Sequence, residues 1–489
     1  MLRVDSHGYT AAVLDKIVTS GGNSKSFQSA HHMVEKQAEV SVSAMQIARL
    51  THEIGRELVQ CRDQQAELHR FRQLPVDANQ PPVQIACIEA DGARTMTRAS
   101  HQGRGVHDKS WKEPKVGVLW RMTGQTFESD PHPELPGCFQ DQQYVEQLVR
   151  ELKSGGGSAS PAEVPTAADA RAAVPAEMRA AEPAVETAVN DTRGGEIAAA
   201  ASLGTAAEAA VAAPEAGAAA ARSADSAALK PPVQWPPRRV FRTCVATLRD
   251  VHGFGPLLAA EAQRRGFYQA SQKVFLGDGQ TANWTVHRLY FPDFVPVTDF
   301  PHVVPYVYEP ARAVTADRPS AWRRCQEWLT LCWQGRVVEV IAALQAWQAA
   351  HPVPPGVRLT SLPENHPQRV VAGAVTYLEH NQSRMDYPRY RCLGLPVTSA
   401  LVESLIKQFN WRMKGTEKYW NRSEEPAISP RTGRPIRGRV VVDPPEMSVE
   451  SMLQVRAALL SDDDRLSKHI RARPGCPFVR RSTQRRRAA

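Results

Sequence analysis

A chain of 489 residues is long enough for two to four domains, and an apolar fraction of 42% with ten Trp and thirteen Phe can fill a core. No apolar run approaches the roughly 20 residues that a membrane-spanning helix needs, and the first residues lack the apolar segment of a signal peptide. The eight cysteines include no Cys-x-x-Cys pair, which argues against a zinc ribbon or a disulfide framework and favours a reducing cytoplasm.

The formal net charge of +9 is unevenly distributed, because residues 465–489 carry nine Lys or Arg and no acid. A basic arm of this kind suits a phosphate backbone, where each neutralised phosphate releases counterions. A solvated tail without a ligand explains the same composition equally well.

Residues 1–80 are predicted to form a helical domain. Segments 27–37 and 43–59 have apolar residues at helical spacing, and Ser41 or Ser43 is a plausible N-cap between them. Two helices around a tight turn are compatible with a helix-turn-helix, which places its second helix in the major groove of DNA. Any helical bundle contains such pairs, so the pattern alone does not establish DNA binding.

Strand patterns replace helical ones in residues 81–153. Residues 83–90 read as a buried strand that ends at Asp91, residues 94–98 alternate, and residues 115–122 form a third strand before a helix over 143–153. Residues 154–236 are rich in Ala, Glu and Pro and have few large apolar side chains. Such a composition cannot bury enough apolar area to offset its ordering entropy, so we expect a linker.

The second half of the chain repeats the change from strands to helices. Within residues 237–304, strands are predicted over 240–246, 273–277 and 294–298, with a helix near 255–265. Residues 305–395 read as a helical insertion with an apolar stripe along 322–333, and residues 396–464 contain helices over 399–414 and 450–460. The remaining residues, 465–489, are predicted to be the basic tail.

Asp91 and Asp278 share one setting, since each ends a short buried strand and precedes a glycine. A carboxylate there projects from the edge of a sheet, and the glycine allows a sharp turn beside it. Asp-Gly is also the favoured pair of a tight hairpin turn, so either residue taken alone has a purely structural interpretation.

Glu403 lies on the predicted helix over 399–414. Apolar residues cover one broad side of that helix, whereas Glu403, Lys407, Asn410 and Lys414 fall together on the other. One interpretation is a solvated face with a Glu403–Lys407 ion pair. The other is a metal-binding glutamate with basic neighbours directed at a phosphate backbone.

Two strand-end aspartates and a helical glutamate make an oxygen-only ligand set suited to Mg²⁺ or Mn²⁺. Two such ions about 4 Å apart can activate a water or a 3′-hydroxyl and stabilise the leaving oxygen of an in-line displacement. The acids therefore predict nuclease and strand-transfer chemistry, with catalytic and metal-binding roles for Asp91, Asp278 and Glu403.

Several segments around these acids resemble the DDE transposases of bacterial insertion sequences, more specifically the ISKra-type, which have a ribonuclease-H-like core. The segment around the second acid reads Leu276-Gly-Asp-Gly-Gln-Thr-Ala-Asn-Trp284, and Asp299-Phe-Pro-His302 matches an Asp-x-x-His signature of this group. The other matching segments are 88–94, 111–117 with 129–131, 394–404 and 410–420.

The resemblance implies an α/β fold: a ribonuclease-H-like mixed sheet with flanking helices, interrupted by a helical insertion and joined to an N-terminal helical domain. The two halves of the core would be residues 81–153 and 237–304, with the catalytic-glutamate helix and a C-terminal helix in 396–464. Asp299 and His302 would be supporting site residues. The resemblance also implies a set of DNA-binding residues: Lys407, Arg412, Lys414, Lys418 and Trp420.

The implied function is Mg²⁺-dependent cleavage and strand transfer at insertion-sequence ends, with two ions of Mg²⁺ or Mn²⁺. The implied partners are double-stranded DNA with terminal inverted repeats and further copies of the chain, as a homodimer or higher oligomer on DNA. The expected location is the cytoplasm, in association with the nucleoid, and no membrane contact is expected. The alternatives are a domesticated or inactive DNA-binding relative, a ribonuclease-H-like nuclease with another role, and a structural DNA-binding protein built on the N-terminal helices. Loss of function usually begins at the carboxylates, and all three are present.

Overall fold

The structure is a computed structural model that describes residues 3–75, 81–98, 110–155, 235–398, 400–414, 420–421, 425–428, 435–441, 448–474 and 476–477. The predicted linker over 154–236 lies almost entirely outside the described residues, as does Lys418. Within the described ranges, no helix is both long enough and apolar enough to cross a membrane.

The N-terminal region is helical, as predicted. It contains strand β1 (Arg3–Val4) and helices α1 (Ala11–Asn23), α2 (Phe27–Ala38) and α3 (Ala44–Arg70). Ser43 is the N-cap of α3, because its hydroxyl accepts a hydrogen bond from the backbone N–H of Gln46 at 3.2 Å. The helix continues eleven residues beyond the predicted end at 59.

A mixed five-stranded sheet forms the centre of the fold and confirms the predicted strands. In chain order the elements are β2 (Ile85–Gly92), β3 (Thr95–Arg98), β4 (Ser110–Lys112), β5 (Lys115–Thr123), α4 (Gly137–Gln140), α5 (Gln142–Gly155), β6 (Arg238–Thr247), α6 (Val251–Arg264), β7 (Gln272–Gly277), α7 (Thr281–Tyr290) and β8 (Val295–Thr298). The sheet order is β6-β5-β2-β7-β8. Strands β6, β5 and β2 are antiparallel neighbours, whereas β2, β7 and β8 run parallel.

Both faces of the sheet are buried, as expected when parallel strands are covered by helices. Ala86, Ile88 and Ala90 of β2 pack into one core with α6 and α7. Ile85 and Cys87, one position out of phase, pack into the opposite core with the second half of the chain.

The predicted helical insertion follows β8. It consists of α8 (Phe300–Val303), α9 (Pro305–Ala313), α10 (Arg318–Trp333), α11 (Val337–Ala350), α12 (Pro367–Asn381) and α13 (Tyr387–Cys392). The predicted apolar stripe on α10 is confirmed: Cys325, Trp328, Leu329, Cys332 and Trp333 are buried.

The last part of the chain returns to the sheet. It contains α14 (Ala400–Met413), β9 (Trp420–Asn421), β10 (Glu425–Ile428), β11 (Pro435–Val441), α15 (Val449–Leu459), α16 (Arg465–Ala472) and β12 (Cys476–Pro477). Helix α14 packs against β2. Strand β9 pairs with β3 in a small sheet of order β4-β3-β9, just beyond the end of β2. The fold class is therefore α/β, with a mixed sheet and many helices.

The two ends of the chain share a third core. Helix α15 packs along α3, and Val455, Leu466 and Ile470 join the apolar residues of α1 to α3. The predicted basic tail is therefore wrong in its first part, since residues 465–472 form a helix. Apolar burial and an ion pair between Arg465 and the buried Glu261 (2.6 Å) hold that helix in place.

Candidate acidic site at the edge of the central sheet

Asp91 lies near the end of β2, and Asp278 directly follows the neighbouring strand β7. The parallel pairing of β2 and β7 ends at Glu89 and Leu276, so Asp91 and Asp278 each lie two residues beyond the last paired position. Neither Asp-Gly pair forms a hairpin turn: Gly92 is still paired with Lys115 of β5, and Asp278 begins the turn from β7 into α7. The structural interpretation of these two pairs is therefore wrong.

The side chain of Asn283 connects the two strand ends. Its Nδ2 donates to Oδ1 of Asp278 at 2.8 Å and to the carbonyl oxygen of Ala90, the residue before Asp91, at 3.1 Å. Oδ1 of Asp278 also accepts the backbone N–H of Gln280 at 2.9 Å. One oxygen of Asp278 is thus held by the protein, which fixes the direction of the carboxylate.

Tyr377 of the helical insertion closes the turn from the other side. Its hydroxyl donates to the carbonyl oxygen of Asp278 at 3.0 Å, and its ring stacks on Tyr306 with centroids 3.6 Å apart. Gly279 has φ +94°, and a Cβ there would lie 2.6 Å from the Tyr377 ring. Only glycine fits this position, both for its backbone conformation and for the space beside it.

Asp299 and His302 reach the same edge from β8. The backbone N–H of Asp299 donates to Gly277 at 2.8 Å, and its fully buried carboxylate lies 2.5 Å from Nδ1 of His302. Burial alone would lower the pKa of His302, but the hydrogen bond to Asp299 and the charges of Asp299, Asp278 and Asp91 raise it to about 9. The carboxylates of Asp299, Asp278 and Asp91 thus all favour the protonated form of His302.

Glu89 is a further acid that the sequence analysis did not identify. It lies two residues before Asp91 on β2, is 1% exposed, and accepts a hydrogen bond from Nε1 of Trp120 at 3.1 Å. Burial and the charge of Asp299 raise the pKa of Glu89 to about 8, although the Trp120 bond opposes the shift. The signal was present in the sequence, because Cys87, Glu89 and Asp91 alternate along one face of the strand.

Helix α14 brings residue 403 to this region, although the Glu403 side chain lies outside the described part of the structure. The helix backbone packs against β2, and Leu405, Ile406 and Phe409 are buried in the same core as Cys87. Glu403 therefore belongs to a helix on the sheet face that also carries Glu89.

The predicted DNA-binding residues separate into two groups. Lys407 and Lys414 are exposed; the ammonium of Lys407 lies 3.4 Å from Glu151 of α5. Arg412 and Trp420 are 2% and 6% exposed, so the prediction that they contact a DNA strand is wrong. Arg412 donates to the carbonyl oxygen of Gly21 at 3.1 Å, and Trp420 donates to that of Met413 at 2.8 Å. Both tie α14 to its neighbours.

The chemistry of the acidic site fits a divalent cation. Its donors are carboxylate oxygens, which suit Mg²⁺ or Mn²⁺, and their charge is concentrated enough to raise the pKa of His302. The described acids of this site do not place three ligand atoms within 4.8 Å of one another. Among the described residues, only His31, His32 and Glu35 of α2 do so.

Asn283, Tyr306 and Tyr377 were also missed. Asn283 lies within the segment that resembles the transposases, but the two tyrosines come from the insertion and carry no sequence signal. Comparison of the chain with protein families, curated proteins and solved structures finds no match.

Proposed function

We propose that this protein is a DNA transposase that cleaves DNA strands and joins them at the ends of an insertion sequence. The observation that carries the proposal is the position of Asp91 and Asp278 at the adjoining ends of the parallel strands β2 and β7, which Asn283 links, beside a helix that bears Glu403 and packs on β2. The first two acids of the expected Asp, Asp, Glu order thus lie at neighbouring strand ends.

The sheet topology supports a ribonuclease-H-like core. Three antiparallel strands are followed by two parallel ones, helices cover both faces, and a helical block separates the second aspartate from the glutamate helix. A mixed sheet with flanking helices and such an interruption is what the resemblance to the DDE transposases implies.

Asp91, Asp278 and Glu403 would hold the divalent ions. When bound, two such ions supply an activated water or 3′-hydroxyl and stabilise the leaving oxygen of a displacement at phosphorus. The chain's own residues hold the geometry: Asn283 and the Gln280 N–H orient Asp278, and Asp299 orients His302. A protonated His302 at this edge can donate a hydrogen bond to a phosphate oxygen.

Substitution of the carboxylates tests the proposal. Glu403→Gln and Asp278→Asn should each lower Mg²⁺-dependent cleavage by several orders of magnitude, because each removes a metal-binding charge while keeping the side-chain size. Binding of the same DNA should survive or strengthen, since a negative group near the phosphates is gone. Glu364→Gln, on a side chain that is 75% exposed in the insertion, is the matched control.

The assay should use the DNA that flanks the gene on both sides, with any inverted repeats found there, in Mg²⁺ and in EDTA. Cleavage followed by joining to a target strand distinguishes a transposase from a nuclease, which would yield hydrolysed ends only. Cleavage by Glu403→Gln at the parent's rate would show that Glu403 is a surface charge, and the proposed ligand set would then be wrong.

A further inference from the structure

Two of the ten tryptophans are unlike the others. Trp411 is 59% exposed and Trp111 is 42% exposed, whereas the other eight, all within the described residues, are buried or half-buried. Large exposed aromatic rings do not stabilise the fold through burial, so their exposure points to a partner.

A lysine lies over the ring of each exposed tryptophan. The ammonium of Lys25 is 5.4 Å from the Trp411 ring centroid, and that of Lys414 is 5.9 Å from the Trp111 centroid. The four residues come from three separate parts of the chain: the connection between α1 and α2, the end of α14, and β4. We call Lys25, Trp111, Trp411 and Lys414 the aromatic–basic surface.

The aromatic–basic surface lies close to the acidic site. Trp411 is eight residues beyond Glu403 on α14, about 12 Å along the helix at 1.5 Å per residue. Trp111 precedes Lys115 by four residues, and Lys115 pairs with Gly92 next to Asp91. The surface and the acids therefore share one end of the sheet.

We propose that the aromatic–basic surface binds unpaired nucleotides of a DNA strand whose phosphodiester lies at the acidic site. The faces of unstacked bases pack on aromatic rings, and lysines beside the rings neutralise the phosphates; this combination characterises single-strand binding sites. Lys112, which is also exposed, adds a further positive charge, and the nearby Glu113 is paired with Lys115 at 2.8 Å.

The inference names the form of the substrate and rests on the proposed function for the identity of the reaction. An intact duplex hides the faces of its bases, so the aromatic–basic surface favours a strand that has been separated or has an unpaired end. A protein partner would use the same rings but would not show the salt dependence of phosphate binding.

The test is a titration of fluorescein-labelled oligonucleotides with the full chain in EDTA, where no metal-dependent cleavage takes place. We expect a single strand to bind more tightly than the duplex of the same sequence. Trp411→Ala and Trp111→Ala should each weaken single-strand binding by about tenfold or more without changing its salt dependence. Lys25→Ala and Lys414→Ala should each reduce the slope of log K against log salt by about 0.7.

Phe71→Ala provides the matched control, because Phe71, directly after α3, is 61% exposed and the Arg70 guanidinium lies 5.7 Å from its ring centroid. This variant should bind like the parent, and Trp411→Phe should retain most of the affinity because its ring still stacks. Equal binding by Trp411→Ala and the parent, equal losses in Trp411→Ala and Phe71→Ala, or a preference for duplex would each overturn the inference. Loss of cleavage in the Glu403→Gln assay is measured separately with Mg²⁺, so the two proposals fail independently.

Discussion

A single amide nitrogen of Asn283 links the two strand ends that carry Asp91 and Asp278. Because Nδ2 donates both to Asp278 and to the carbonyl oxygen of Ala90, any movement of β7 relative to β2 would break one of the two bonds. Sequence patterns identified Asp91 and Asp278 from their position at strand ends. They could not identify Asn283, whose role depends on a strand pairing between residues almost 190 positions apart.

Asn283→Ala should weaken the acidic site without unfolding the protein. Partners that orient metal ligands typically contribute 10- to 100-fold in metal affinity or activity, so we expect the Mg²⁺ concentration for half-maximal cleavage to rise by about that factor. The cost in stability should be about 1 kcal/mol for each hydrogen bond lost.

The control is Gln280→Ala, because Gln280 binds Asp278 through its backbone N–H and its side chain is exposed. Mn²⁺ affinity of the catalytically inactive Asn283→Ala/Glu403→Gln chain, compared with Glu403→Gln alone, gives a second readout. Unchanged metal dependence in Asn283→Ala would show that β2 and β7 hold the carboxylates without the amide.

At the scale of the elements, periodic apolar patterns predicted the strands and helices because each element buries one face or both. The same patterns could not distinguish a buried arginine from an exposed one. Arg412 lies 4.4 Å from the Phe27 ring and 5.2 Å from the Trp420 ring, and Arg456 donates to the carbonyl oxygen of Gly22 at 3.2 Å. These cations bind carbonyl groups near the C-terminal end of α1, where the helix dipole is negative.

His52 of α3 lies near Arg412 and should make the stability of the protein depend on pH. Burial, with the charges of Arg412 and Arg56, lowers its pKa from 6.5 to about 3. The unfolded chain therefore binds a proton at higher pH than the folded one, so stability is full above about 6.5 and falls as pH drops toward 3, by about 1.4 kcal/mol per unit.

His52→Gln should flatten this dependence, which urea unfolding at pH values between 7.5 and 4.5 would measure. The exposed His380 supplies the control, and His380→Gln should keep the parent's slope. Parallel curves for the parent and His52→Gln would mean that His52 is protonated without penalty, contrary to its buried position.

At the scale of the whole molecule, the first and last described segments of the chain are joined by strand pairing and ion pairs. Strand β1 pairs with β12, and Arg473 forms ion pairs with Glu53 at 2.5 Å and Glu57 at 2.9 Å. Composition alone suggested a basic arm from residue 465 onward because it counts charges and not their partners. The long-range pairing of Arg465 and Arg473 with acids far away in the chain could not be read from local sequence.

Two truncations separate the folded part of this region from the rest. Removal of residues 478–489 deletes five arginines, and should leave the melting temperature unchanged while weakening non-specific DNA binding and its salt dependence. Removal of 465–489 also deletes α16, which strips Leu466 and Ile470 from the third core and leaves Glu261 paired with Arg264 and Arg265 but no longer with Arg465. Because the deletion exposes apolar surface of the third core and removes one of the three arginines around Glu261, this shorter chain should melt at a much lower temperature or fail to remain soluble. Equal melting temperatures for the two truncated chains would show that α16 is a dispensable arm, as its composition first suggested.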